Sequence, residues 1–228
     1  MHDVTKSCDQ SDNFKGLGYG LKVFGSYRLK TNSHDGDIDM LCIVPEFFSR
    51  EKHFFAQLAG YFRKHEHIQE IFAIRTSLKN LADAIVPLMR LTLFGVQIDL
   101  LLARIREGFL RSNPSFFDSD TCIPSCINEK ELRSLNGYRT ALYLERKYVD
   151  EYRNYRVTLK AIKLWAKNKG VYSQIYGYLG GAAFSIMLAK ICQLYPSYSP
   201  LQLLDRFFFI YANWVWTIPV VIEKMEYF

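Results

Sequence analysis

With 228 residues, 49% of them hydrophobic and 23% charged, the chain has an ordinary globular balance and room for one large domain or two small ones. Its five cysteines have no spacing that suits a disulfide framework or a zinc finger, so all are read as reduced thiols. No basic-then-apolar leader opens the chain, and the uncharged run 171–189 carries Ser, Gln, Tyr and three glycines, which suits a buried or packed helix entry better than a membrane span. The formal charge of +6 is uneven: residues 1–110 hold 14 basic and 13 acidic side chains, residues 111–228 hold 15 and 10. Much of the excess falls between 141 and 170, a field suited to a polyanion.

In chain order, residues 1–13 are polar and read as frayed, and Gly16, Gly18 and Gly20 make a flexible approach. A short strand over 21–24 enters a Gly25-Ser26 turn. The run 38–44 is nearly all apolar and predicts a strand buried on both faces, closed by Pro45. Residues 49–64 repeat Phe54, Phe55, Leu58, Tyr61 and Phe62 at helical spacing, with Ser49 as N-cap. Strands follow over 68–74, 86–94 and 96–105, the last two turning at Gly95 as a hairpin. Residues 109–127 read as loop.

The chemistry concentrates at Asp37 and Asp39. Two apart on a strand, they share a face, where their carboxylates repel unless a cation sits between them. Magnesium takes one or two carboxylates plus substrate phosphates. Gly25-Ser26 just upstream offers N–H groups and a hydroxyl for phosphate. A surface turn with incidental acids is the plain alternative. Asp99 is a third acid, alone on the polar face of VQIDLLLARI, with Val96, Ile98 and Leu100 on the other. Burying a lone carboxylate is costly. A metal shared with Asp37 and Asp39 removes that cost, and so does a salt bridge to Arg90 or Arg104. On the metal reading, removing Asp99 should relieve repulsion and leave the metal-free fold as stable or slightly more so.

Beyond the loop the period is helical. Arg153, Arg156, Lys160, Lys163 and Lys167 form one stripe, and Tyr155, Leu159, Ile162 and Ala166 the opposite one. A basic stripe is usually a solvated face; the scarcity of acids within this helix favours phosphate contact. Two apolar helices follow, over 182–195 and 200–216, with 207–209 and both tryptophans of the second read as core.

This pattern resembles the eukaryotic nuclear poly(A) polymerases of the polymerase β-like nucleotidyltransferase superfamily. The similar stretches are FGSYRL at Phe24, GDID at Gly36, VQIDLLLAR at Val96, LRSLNG at Leu132, TLKAIKLWAK at Thr158, VYSQIYGYLGG at Val171, ICQLYP at Ile191 and NWVWTIPV at Asn213. The resemblance implies that Asp37, Asp39 and Asp99 are catalytic and hold metal, with Asp39 and Asp99 on the attacking side and Asp37 bridging. It implies nucleotide contacts from Phe24, Gly25, Ser26, Ser33, Asn136, Lys163, Tyr172, Gly181 and Ala182. The match at DID also puts Asp35 in the loop, although Asp35 and Asp37 are themselves two apart. Three departures stand out. Lys30 replaces a usual glycine, Ala182 a common valine, and the family's N-terminal helix is largely missing before Gly16.

The expected fold is α+β: a nucleotidyltransferase fold, a mixed β-sheet flanked by helices, followed by a helical middle domain. The expected division is a flexible N-terminus over 1–15, a catalytic domain over 16–140 and a poly(A) polymerase central domain over 141–228, with the nucleotide in the cleft between the latter two. The resemblance implies a polynucleotide adenylyltransferase that adds AMP from ATP to the RNA 3′-hydroxyl by a two-metal mechanism. Two Mg²⁺ ions are its cofactors, with Mn²⁺ as an alternative. Expected partners are the RNA 3′ end, ATP and cleavage/polyadenylation proteins in the nucleus, with no membrane. A form lacking a C-terminal RNA-binding domain is expected. A uridylyl- or CCA-adding relative, or a non-catalytic RNA-processing scaffold of the same fold, is the alternative.

Overall fold

The computed structural model describes residues 20–34, 36–74, 86–106, 126–146 and 148–223. The frayed terminus, the approach through Gly16 and Gly18, Asp35 and most of the loop predicted over 109–127 lie outside the described residues. The chain forms two compact units. The first takes the described residues as far as Tyr27 together with His34–Thr140; the second takes Arg28–Ser33 and the residues from Ala141 onward.

The first unit is built on a five-stranded sheet of β1 (Gly20–Val23), β2 (Ile38–Pro45), β3 (Ile68–Ile74), β4 (Leu88–Leu93) and β5 (Val96–Ile105). Their order is β1-β2-β5-β4-β3, with β2 and β5 parallel and every other pair antiparallel. The sheet is therefore mixed. A single turn of helix, α1 (Gly25–Arg28), follows β1. The hairpin between β4 and β5 turns on Phe94 and Gly95, at φ 51° and 78°. Both central residues are left-handed, the twist that two antiparallel strands need in a two-residue loop.

The predicted helix over 49–64 is not a single α-helix. Arg50–Leu58 winds as a π-helix and continues into α2 (Ala59–Phe62). Ser49 does cap it, its hydroxyl accepting from the Lys52 N–H at 3.2 Å. The segment presents Phe54, Phe55, Leu58 and Ala59 to the sheet, where they meet Met89, Leu91, Leu100 and Leu102. Each large side chain buried this way contributes roughly 1.5–3 kcal/mol. Met40, Cys42 and Val44 pack against the same cluster, while Leu41 and Ile43 are fully buried on the other face. Strand β2 is thus covered on both sides, as its unbroken apolar run predicts.

Helix α3 (Glu129–Arg146) carries in its first turn Glu131, a fully buried carboxylate. It accepts from Arg50 at 2.6 Å, from the Arg104 guanidinium at 2.8 Å and from the Arg104 backbone N–H at 3.0 Å. Three donors, two of them charged, are what a buried carboxylate requires. Arg104 is therefore engaged at Glu131.

In the second unit α4 (Tyr152–Asn168), α5 (Gly181–Leu194) and α6 (Pro200–Ala212) pack on one another. The apolar stripe Tyr155, Leu159, Ile162 and Ala166 is fully buried. The Tyr155 hydroxyl donates to the Ser185 carbonyl at 3.1 Å, and burial pushes its pKa upward. Ser199 and Gln202 form a capping box and Pro200 opens α6. Two expectations fail here. The last helix stops at Ala212 instead of running to 216, and its aromatics are not all core. Phe207 is buried, but Phe209 is 59% and Trp216 60% exposed. Phe209, two residues on from Phe207, falls on the other side of the helix, and Trp216 lies beyond its end. The described cysteines Cys42 and Cys192 are free thiols. Among the described residues no helix is long and apolar enough to cross a membrane.

Candidate active site

The sheet's register assembles a row of charge. Asp39 on β2 lies beside Asp99 on β5, and Asp99 lies beside Arg90 on β4. Residues paired across neighbouring strands point to the same face, so the three side chains stand in line. Asp37 approaches the row just before β2 begins, and one carboxylate oxygen from each of Asp37, Asp39 and Asp99 lies within 4.8 Å of the others. Asp37 and Asp39 are half-buried, whereas Asp99 is 6% exposed. Asp99 pairs with Arg90 as a fork, Nε to Oδ1 at 2.7 Å and Nη2 to Oδ2 at 2.6 Å. This bond, aided by the fields of Asp99, Asp37 and Asp39, raises the Arg90 pKa. Of the two partners expected for a salt bridge Asp99 takes Arg90, and the carboxylates of Asp37 and Asp39 lie beside that pair.

Gly25 closes one side of the row. Its φ is +61°, and a Cβ there would fall 2.0 Å from Asp39 Oδ2. Only glycine lets the α1 backbone come this near the carboxylate. Phe24 is anchored by its N–H to the Asp39 carbonyl at 2.9 Å. Its ring is buried against Gly137 on α3, where a Cβ would meet it at 2.8 Å. Asn136, the neighbouring residue, is exposed on α3, and Ser26 is half-buried in α1.

The second unit holds a separate cluster. Lys163 belongs to the predicted basic stripe but does not share its solvated fate: it is 9% exposed, while Arg153, Lys160 and Lys167 are exposed. Its ammonium donates to the Thr31 hydroxyl at 3.3 Å. At Gly181, the first residue of α5, a Cβ would lie 2.8 Å from the Tyr172 hydroxyl and 3.6 Å from Lys163 Nζ. Glycine therefore lets a hydroxyl and an ammonium converge on the start of a 14-residue helix. Its N-cap is Gly180, which has no capping side chain. Free N–H groups, a helix dipole and a buried cation together suit an anion such as phosphate. The Tyr172 ring stacks on Phe184 with centroids 6.0 Å apart. Ala182 is exposed beside Gly181. Exposed Ser33 accepts from Lys167 Nζ at 3.4 Å.

The donor set of the first cluster suits a hard divalent ion: three carboxylates, two of them reachable from solvent, and a guanidinium already present as a counter-cation. Several of these neighbours carried no signal of their own in the sequence. Gly137 and Thr31 act through contacts far apart in the chain. Lys30, by contrast, sits at φ 54° where a glycine was expected, so the left-handed backbone is kept without the residue that favours it.

Comparison with known proteins agrees with these features. Residues 3–146 match the poly(A) polymerase nucleotidyltransferase domain and residues 154–227 the poly(A) polymerase central domain. The chain is 38% identical over 205 residues to nuclear poly(A) polymerase 4 of Arabidopsis thaliana, covering 90% of this chain and 26% of that one. It is 34% identical over 227 residues to poly(A) polymerase PAPalpha of Candida albicans, covering 99% and 39%. It thus spans a quarter to two-fifths of these relatives. Among solved structures, the polymerase core of TRAMP, an RNA surveillance complex, aligns with a TM-score of 0.54 at 18% identity, covering 92% of this chain and 56% of that one. That likeness concerns the fold alone. With both family domains matched in order along the chain, the protein belongs to the poly(A) polymerase family.

Proposed function

We propose that the protein is a template-independent RNA nucleotidyltransferase that transfers AMP from ATP to the 3′-hydroxyl of RNA. The observation that carries this reading is the Asp37–Asp39–Asp99 cluster, three carboxylates with oxygens within 4.8 Å of one another, two of them, Asp39 and Asp99, brought side by side by strand register. Two divalent ions, Mg²⁺ or Mn²⁺, would supply activation of the attacking oxygen and bracing of the leaving phosphates when bound there. Asp37, Asp39 and Asp99 would hold these ions, with Asp39 and Asp99 on the attacking side. Gly25 and Ser26 would offer N–H groups and a hydroxyl to the phosphates, and Phe24 and Asn136 would flank the nucleotide. Lys163, Tyr172 and the Gly181–Ala182 helix start would neutralise charge that builds on the pyrophosphate, with Ser33 a weaker contact. Phosphoryl transfer needs little else than positioning and electrostatics.

The division into a catalytic domain over 16–140 and a central domain over 141–228 belongs to the same proposal. So do a role in mRNA polyadenylation, a nuclear site of action and association with cleavage/polyadenylation proteins. They rest on relatives named nuclear poly(A) polymerases. The test is incorporation of labelled ATP, UTP or CTP onto an oligo(A) primer. Preferential ATP incorporation, lost in Asp39→Ala, is the expected result. Preference for UTP or CTP would favour a uridylyl- or CCA-adding enzyme, and no incorporation with any nucleotide a scaffold.

A further inference from the structure

We propose that Arg90 is the resident cation of the carboxylate cluster, competing with divalent metal for Asp99 and setting how tightly metal binds. The inference rests on the metal reading of that cluster and concerns a residue to which that reading gives no role. Asp39, Asp99 and Arg90 form one row across three adjacent strands, so strand register delivers the guanidinium to the carboxylates. The Arg90 fork engages both oxygens of Asp99, at 2.7 and 2.6 Å. An ion that takes an oxygen of Asp99 must share it with a formal positive charge or displace that charge. Asp99 is 6% exposed, and a carboxylate so buried needs a partner in either state. The Arg90 side chain is 39% exposed, so its head can return to water when metal takes over.

Arg90 then does two opposite things. Without metal it binds Asp99 directly, and its field offsets the repulsion that Asp99 meets from Asp37 and Asp39. With metal it acts as a like charge beside the site and lowers affinity. Arg104, also considered as a partner for Asp99, is not available for this, being engaged at Glu131.

The experiment is a calorimetric titration of the whole chain with Mn²⁺ alone, without nucleotide or RNA, alongside thermal melting in the presence of chelator and of Mn²⁺. Arg90→Met should bind Mn²⁺ about tenfold tighter, one charge-assisted fork having been removed. It should melt lower than wild type in chelator and regain that loss in Mn²⁺. Arg90→Lys, which keeps the charge and loses the fork, should fall between the two and serves if Arg90→Met does not fold. Adding Asp99→Asn to either background should erase the difference between them. Unchanged or weaker Mn²⁺ binding in Arg90→Met overturns the proposal. So does a gain that persists with Asp99→Asn, since a diffuse field and not the fork would then be responsible. If wild type itself binds no Mn²⁺, the metal reading falls and this inference with it. Equal binding by wild type and variant removes this inference alone.

Discussion

Two of the buried charged side chains, Asp99 and Lys163, are held in different ways. Asp99 is set by strand register: its neighbours Asp39 and Arg90 are adjacent positions on flanking strands, and hydrogen-bonded ladders hold all three. Lys163 is set by convergence: a helix supplies the ammonium, the Arg28–Ser33 segment supplies Thr31, and a loop and helix start supply Tyr172 and Gly181. A register site tolerates little displacement, because slipping one residue turns every side chain to the other face. A convergent site can yield piece by piece. Changes in the sheet cluster should therefore be all-or-none, and changes around Lys163 graded.

The largest effect is expected from Asp99→Ala, which should lower primer extension by on the order of 10³ or more, as when a central electrostatic group is removed from the reacting atoms. The same variant corrects an expectation about stability. Relief of repulsion alone predicts unchanged or higher melting without metal. The bidentate bond to Arg90 reverses the sign, and the metal-free variant should lose about 1 kcal/mol, kept small because Arg90 reaches water. A melting curve in chelator decides: a rise would mean that repulsion outweighs the ion pair. Next is Gly25→Ala. A Cβ 2.0 Å from Asp39 Oδ2 must push the carboxylate or the turn aside, and φ +61° disfavours any side chain. Displacing a ligand by this much should cost roughly 10²-fold in activity. Mn²⁺ titration should show the same loss, and normal metal affinity would mean that the turn and not the cluster absorbs the change.

The two sites also differed in how far the sequence disclosed them. Strands 68–74 and 96–105 were legible to the residue, the second because an apolar run entered from a turn at Gly95 has few other readings. Asp37, Asp39 and Asp99 were legible as candidates because acids among apolar residues need an explanation. Their partner was less so. Arg90 and Arg104 were equal choices for Asp99, since periodicity assigns a face and not a cross-strand neighbour. Register resolved it, giving Arg90 to Asp99 and Arg104 to Glu131. The burial of Lys163 escaped a reading of the stripe, because one step around a helix separates a solvated lysine from an enclosed one. Thr31 is 132 residues from Lys163, and no local pattern links them. Resemblance to a family pointed to Lys163; its physical setting came only with the fold.

Lys163→Ala tests the convergent site. It removes a buried ammonium beside the start of α5, and the efficiency of ATP use should fall by about 10²-fold. Lys160→Ala, one turn away and exposed, should change it by less than about twofold, the usual scale for a screened surface charge. Steady-state kinetics with ATP varied separate the two. Equal losses would mean that the helix acts as a diffuse positive field.

The smallest and most discriminating change is Thr31→Val. It keeps the shape of a side chain that is 3% exposed and removes the hydroxyl that accepts from Lys163 Nζ. At 3.3 Å the bond is long, so its loss should cost about 1 kcal/mol, below the usual range for a hydrogen bond to a charged group. Because Tyr172 and Gly181 remain, the ammonium should be misdirected and not lost. The expected result is a rise of roughly threefold to fivefold in KM for ATP with a smaller change in kcat, since bound phosphate oxygens can take over the orientation of the ammonium. Thr31→Ser should restore the wild-type value by returning the hydroxyl. Mn²⁺ affinity should stay as in wild type, because the ladder that holds Asp39, Asp99 and Arg90 contains no residue of the 28–33 segment. If Thr31→Ser behaves like Thr31→Val, packing and not the hydrogen bond is what Thr31 contributes. If Mn²⁺ binding falls as far as ATP use, the two clusters are one unit energetically, and the contrast between register and convergence does not describe how this protein works.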